Sequence, residues 1–171
     1  QVVFEGVSAG GQRALWLRPL DSQSAQPLAG TEGGAMPFWS PDSQWIGFFA
    51  QGKVKKMPVS AAGPAMTIAD APNARGGTWS QDGIIVFAPN PSGGLQQISA
   101  SGGIARRATP VAGTTAQRFP WFLPDGRHFL YMLGGAGGGA SIRIGSLDSP
   151  AQDRALLDAA DSLAVYSQRE L

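Results

Sequence analysis

Two arginines stand in matching places: Arg75 and Arg118 each precede an aromatic residue, Trp79 and Phe122, by four positions. Guanidiniums brought to one spot can hold a carboxylate or phosphate through paired N–H donors; kept apart, they pair with local acids or with solvent. His128 is the only histidine and directly follows Asp125-Gly126-Arg127. A nucleophilic triad needs a base beside a serine and oriented by a carboxylate. No nucleophile-elbow motif is present, so His128 reads as an exposed turn residue. With no cysteine and no second histidine, a zinc site has no ligands to share. Asp42, Asp82 and Asp125 recur, but none sits in an Asp-x-Asp loop that would gather carboxylates around calcium. They read as turn formers. The run Gly134–Gly139 lacks the Gly-Lys-Ser/Thr of a phosphate loop, and no helix follows it, so it reads as a flexible hairpin loop. Lys53, Lys55 and Lys56 are the only basic cluster; alternating lysines guard a strand edge against aggregation better than they read nucleic acid. Neither a cofactor nor a metal is expected.

The elements that carry these residues repeat. Pro37-Phe38-Trp39-Ser40-Pro41-Asp42, Gly77-Thr78-Trp79-Ser80-Gln81-Asp82-Gly83 and Pro120-Trp121-Phe122-Leu123-Pro124-Asp125-Gly126 share one design, with Trp39, Trp79 and Phe122 spaced 40 and 43 residues apart. Each is a strand ending on an aromatic and running into a turn, where Pro presets φ, Asp bonds downstream amides and Gly accepts positive φ. A second apolar strand follows each corner, as Trp45–Phe49, Ile84–Phe87 and Phe129–Met132. The middle copy reaches Phe87 five residues after Asp82, against seven for Phe49 and Met132, and a two-residue deletion would keep Phe87 on the face of Phe49. A third strand recurs as Leu15–Leu20, Val54–Val59, Leu95–Ser99 and Ile142–Leu147. A weaker fourth follows as Ala25–Leu28, Ala65–Ala69, Ile104–Thr109 and Arg154–Leu157, the last also readable as a helical turn. The chain opens on Val2–Glu5, a second strand without its corner, and Leu163–Ser167 resembles the first strand of a further copy.

Four strands per repeat of about forty residues is the signature of a β-propeller. The expected fold is therefore all-β, a propeller section of about four blades built from four-stranded antiparallel sheets. The expected blades are 1–31, 32–72, 73–112 and 113–161, with an extra strand at 162–171. In that frame Trp39, Trp79, Trp121 and Phe122 are inter-blade core. Arg75 and Arg118 fall near the start of innermost strands, close to the central channel, although Ala35 at the matching place leaves the charge ring incomplete. The last strand either completes the first blade and closes the ring, or leaves an open section that self-associates.

Composition agrees. Hydrophobic residues make up 43% and charged residues 15%, and the 24 Gly and 13 Pro punctuate many short strands. A net charge of +1 provides no field to attract nucleic acid. The longest apolar stretches, Ile84–Pro89 and His128–Leu133, fall far short of the roughly 20 residues that span a bilayer, so no membrane insertion of this segment is expected. No signal peptide precedes Val2-Val3-Phe4, and the abrupt start reads as a segment of a longer protein.

The Trp-Ser-Pro-Asp corner at Trp39–Asp42, with its following Ile/Phe strand, resembles the WD40-like Pro-Asp β-propeller repeat of TolB-like proteins. Leu15–Leu20, Pro37–Phe49, Arg75–Trp79 and Phe122–Tyr131 are similar to the propeller sensor region of bacterial serine/threonine protein kinases. The resemblance implies a binding or sensing module outside the cytoplasm that continues beyond Leu171, with a protein, peptide or small-molecule ligand. It brings no kinase activity, because the glycine-rich nucleotide loop, His-Arg-Asp and Asp-Phe-Gly are missing. The sequence thus reads as a non-enzyme. The alternative is an accessory, substrate-gating propeller of an α/β-hydrolase, as in prolyl-peptidase relatives.

Overall fold

A computed structural model describes residues 1–60, 63–111, 115–134, 139–158 and 162–166. Every regular element in it is a strand, and every strand pairs antiparallel with its sequence neighbour within one of four sheets. The first sheet holds β1 (Val2–Val7), β2 (Arg13–Arg18) and β3 (Gln26–Pro27). The second holds β4 (Ala35–Trp39), β5 (Trp45–Ala50), β6 (Lys53–Pro58) and β7 (Met66–Asp70). The third holds β8 (Gly77–Trp79), β9 (Ile84–Phe87), β10 (Gln96–Ser99) and β11 (Arg106–Arg107). The fourth holds β12 (Ala116–Phe122), β13 (His128–Gly134), β14 (Ala140–Ser146) and β15 (Asp153–Leu157). The innermost strands stand side by side, β4 against β8 and β8 against β12, while β1 packs against β4. This is an all-β propeller section of about four blades.

The second strand of each blade explains why its apolar run is continuous rather than alternating. A blade between two neighbours buries both faces. Ile46, Phe48 and Ala50 point back to Leu15 and Leu28 of the first sheet, whereas Phe49 points on to Ile85, Phe87 and Ile98 of the third. Val86 and Ala88 then face Phe129 and Tyr131 of the fourth. Each such side chain, fully buried, contributes roughly 1.5–3 kcal/mol, and no sheet collects that stabilisation without its neighbours.

Several expectations need correction. Ser40 N bonds Trp45 O and Ser80 N bonds Ile84 O, so the middle corner is shorter by a single residue, and Ile84 stands where Trp45 does. Phe87 therefore matches Phe48 and Tyr131, each facing the preceding blade, and does not match Phe49. The lysine cluster is no edge guard: β6 lies between β5 and β7. Lys53 is ion-paired to Asp70, Lys55 donates to Gln51 Oε1 at 2.8 Å, and Lys56 lies over the Trp45 ring at 4.7 Å. Arg154–Leu157 is the expected fourth strand, within β15, and only its alternative reading as a helical turn falls. Leu163–Tyr166 carries no strand, although Ala164 packs against Leu130 and Ile142; the rest of the expected strand, 167–171, lies outside the described residues. So do positions 135–138 of the glycine run.

Aromatic rings overlie several glycines. An added Cβ would lie 2.3 Å from Phe38 at Gly47, 2.7 Å from Phe129 at Gly145 and 2.4 Å from Trp16 at Gly6. Phe38 and Phe129 are the direct cross-strand partners of their glycines. A ring laid across a glycine in this way covers backbone that would otherwise be exposed. A second recurring device is a left-handed residue three positions before each corner aromatic: Met36 at φ 48°, Gly76 at 96° and Phe119 at 52°. The pairing register shifts at this place in β4 and β12. The bulge turns an N–H toward the preceding blade, so that Met36 N donates to Glu5 Oε1 at 2.7 Å and Phe119 N to Arg75 O at 2.8 Å.

Candidate functional site

The three corners converge on one cavity of about 810 Å³ at the end of the axis. Its wall is the repeat itself: Trp39 and Ser40, Trp79 and Ser80, Trp121 and Phe122, with Gln1 and Tyr166 closing the side that lacks an inner strand. Local chemistry fixes each corner. Ser40 Oγ accepts from Trp45 N at 2.8 Å and donates to Asp42 Oδ1 at 2.5 Å, while Asp42 also accepts from Gln44 N at 3.0 Å. Ser80 Oγ repeats the first contact with Ile84 N at 3.1 Å. Thr78 Oγ1 crosses between blades to accept from Phe122 N at 3.2 Å, tying the second and third corners together.

Among the described residues no carboxylate lines this cavity. The Ser40 hydroxyl and then the Gln44 amide hold the Asp42 carboxyl below its ordinary range. Partial burial works to raise Asp125, but the His128 and Arg127 amides with the His128 ring outweigh it and hold the carboxyl at about 2. Asp125 Oδ1 accepts from both amides at 2.9 and 3.0 Å, and its Oδ2 meets His128 Nδ1 at 2.5 Å. His128 is half-exposed and held to a carboxylate, while its cross-strand partner Ser146 accepts from Asp148 N at 3.2 Å rather than bonding the ring. Asp82 shares the corner position, and Gln81 and Gly83 beside it line a smaller recess with Trp45 and Trp79.

Trp39, Trp79 and Phe122 are half-buried, each packed against the layer facing its preceding blade. Trp121 is not core: it is 44% exposed, because Phe122 takes the inward position beside it and leaves the indole on the cavity wall. The first corner also has two adjacent aromatics, Phe38 and Trp39, yet there Phe38 is buried, so sequence alone did not mark Trp121 as exposed.

Arg75 and Arg118 lie at the opposite end of the inner strands. The Phe119 N–Arg75 O bond brings their backbones together, but the guanidiniums turn to different carbonyls, Arg75 to its own loop and Arg118 across to the third blade. Arg75 Nη1 donates to Ala74 O at 2.7 Å and Arg118 Nη2 to Pro91 O at 3.4 Å. Arg118 Nε is buried without a partner. Sequence reasoning also missed a polar lock in the fourth blade, where Asp153 of β15 receives Tyr131 Oη and Arg143 Nε and Nη2. Burial and then Asp153 push the Tyr131 phenol above its usual range. Among the described residues no group of three or more His, Asp or Glu side chains is placed to hold a metal ion, and no helix is long and apolar enough to cross a membrane.

No protein-family model matches the chain, and no curated protein is significantly similar in sequence. Solved structures do match. A putative TolB from Agrobacterium tumefaciens superposes with a TM-score of 0.75 at 15% identity, over 91% of this chain and 60% of its own. TolB from Acinetobacter baumannii gives 0.71 at 14%, over 91% and 40%. The β-propeller domain of the trilobed protease from Pyrococcus furiosus gives 0.55 at 10%, over 92% and 53%. The chain thus spans less than two thirds of the structures it resembles. At these identities the likeness concerns architecture: the chain folds as a TolB-like β-propeller.

Proposed function

We propose that the chain is a non-catalytic binding or sensing module that takes a protein, peptide or small-molecule ligand at the corner cavity. On this reading it is part of a larger bacterial protein, such as a receptor-type kinase, with the propeller outside the cytoplasm, as the resemblance of its repeats implies. The observation that carries the proposal is the exposed Trp121 indole on the wall of a cavity where three blades meet. An exposed aromatic beside satisfied corner hydroxyls offers apolar contact area with a few fixed polar groups, which is the usual make-up of a recognition pocket. Asp42 and Asp125 are committed to their own turns, which argues for binding rather than proton transfer.

The test is a saturation-transfer NMR screen of short peptides and aromatic fragments. Hits should bind the wild type and be lost in Trp121→Ala, while the variant melts as the wild type does. Hits indifferent to Trp121→Ala sink the cavity reading. Turnover abolished by replacing Asp42, Asp82 or Asp125 sinks the non-catalytic one. The likeness to a protease's propeller domain favours a second reading, an accessory substrate-gating propeller of an α/β-hydrolase. A Gly-x-Ser-x-Gly hydrolase sequence in the same gene would decide for it.

A further inference from the structure

One blade junction departs from the repeat with a pair of indoles. The residue whose carbonyl closes each corner is Trp45 in the second blade, Ile84 in the third and His128 in the fourth. Ile84 shows that an aliphatic side chain suffices there, so the repeat itself does not require an indole. Trp45 and, from the next blade, Trp79 line one recess of about 470 Å³ with Asp42, Ser40, Ser80 and Gln81. The recess abuts the corner cavity and shares Trp79 and Ser80 with it, but Trp121 is not on its wall. Asp42 is the charged residue of the lining, and no cation stands there with it. Its Oδ1 accepts from Ser40 Oγ at 2.5 Å and Gln44 N at 3.0 Å, while among the described residues Asp42 forms no ion pair. Ser40 Oγ also accepts from Trp45 N at 2.8 Å, so one hydrogen-bonded turn holds the carboxylate and the indole in a fixed relation. The two indoles already attract a cation. Lys56 Nζ lies 4.7 Å from the Trp45 ring centroid and 6.0 Å from that of Trp79, and among the described residues it pairs with no acid. Lys56 is not on the recess wall.

We propose that this recess binds a quaternary ammonium group. The face of an indole is electronegative and attracts a cation within about 6 Å of its centroid. A methylated ammonium lays apolar methyls on the two rings and needs no hydrogen-bond acceptor, whereas a primary ammonium brings three donors to satisfy. The recess has few acceptors to give, because the Ser40 and Ser80 hydroxyls are held in their own turns. The Asp42 carboxylate then balances the ligand's charge. Lys56 draws on the same two rings, and its charge opposes the entry of a second cation. The site does not rest on the function proposed for the corner cavity.

The experiment follows the five indole N–H signals of the full chain by NMR during titration with choline. Separate titrations use 3,3-dimethylbutan-1-ol, the uncharged isostere of choline, and ethanolamine. Choline should shift the Trp45 and Trp79 signals saturably, the alcohol should not, and ethanolamine should bind more weakly. Trp45→Ile, matching the third blade, should weaken choline by about tenfold or more. Asp42→Asn keeps an oxygen for Ser40 and Gln44 and should weaken it several-fold; this variant decides the matter if Trp45→Ile does not fold. Lys56→Met should tighten it. Non-saturating shifts, the alcohol or ethanolamine as effective as choline, unchanged affinity in Asp42→Asn, or no gain in Lys56→Met would overturn the assignment. So would loss of choline binding in Trp121→Ala, which moves the cation to the corner cavity. Sedimentation with phosphatidylcholine vesicles, with phosphatidylglycerol as control, separates the sources. Co-sedimentation lost in Trp45→Ile places the ammonium on a lipid head group, whereas choline shifts without sedimentation place it on a free small molecule. Sedimentation retained by Trp45→Ile counts against the recess.

Discussion

Replacing Gly47 by Ala tests the stacking of the blades at its tightest point. The new methyl would sit 2.3 Å from two ring carbons of Phe38. Carbon atoms rest at about 3.5 Å or more, so the ring must withdraw by roughly 1.2 Å. It has little room. Phe38 is 9% exposed, its centroid is 5.9 Å from that of Phe49, and its other edge covers Gly77, where a Cβ would lie only 2.8 Å away. Gly47 is not left-handed, so alanine meets no backbone penalty and reduces the unfolded chain's freedom, a gain of about 0.4–1 kcal/mol. Overpacking costs about 1–3 kcal/mol, leaving a net loss near 2 kcal/mol at its upper end. For a chain of this size that lowers Tm by roughly 4–8 °C. A double-mutant cycle with Phe38→Leu isolates the cause: the smaller side chain should accept the methyl, giving a coupling of about 1 kcal/mol or more. Urea denaturation of the four proteins supplies the numbers. If Gly47→Ala is as stable as the wild type, or the two changes simply add, the ring-over-glycine account is wrong.

Tyr131→Phe removes the hydroxyl from Asp153 but leaves the Arg143 pair; the loss should be about 1.5 kcal/mol in urea denaturation, and no loss would show the lock to be idle. Asp125 has its folded pKa depressed from 3.8 to about 2, so its contribution is complete above the unfolded value and is lost as pH falls through that interval. Asp125→Asn should therefore flatten the fall of Tm between about pH 3.8 and 2, by a small amount because the side chain is half-exposed. Parallel curves for the two proteins would remove Asp125 from the acid response.

The blade architecture was legible because turn chemistry and strand order recur together; the Trp39, Trp79 and Phe122 corners alone set the repeat. What escaped was anything decided between blades. The face of Phe87 depended on a turn one residue shorter, which only the Ser80–Ile84 bond reveals. Trp121 and Phe122 are adjacent aromatics, and sequence has no means of saying which one the neighbouring sheet leaves room for. The left-handed Met36 and Phe119 carry no signature either, since neither is a residue that prefers that conformation.

The bulge at Phe119 bears on how such a molecule varies over time. The bond that Phe119 gives to Arg75 is made by main-chain atoms on both sides, so it is indifferent to which side chains occupy those sites. A module that sticks to its neighbour through peptide groups can be copied, swapped or drift in composition without losing its seat.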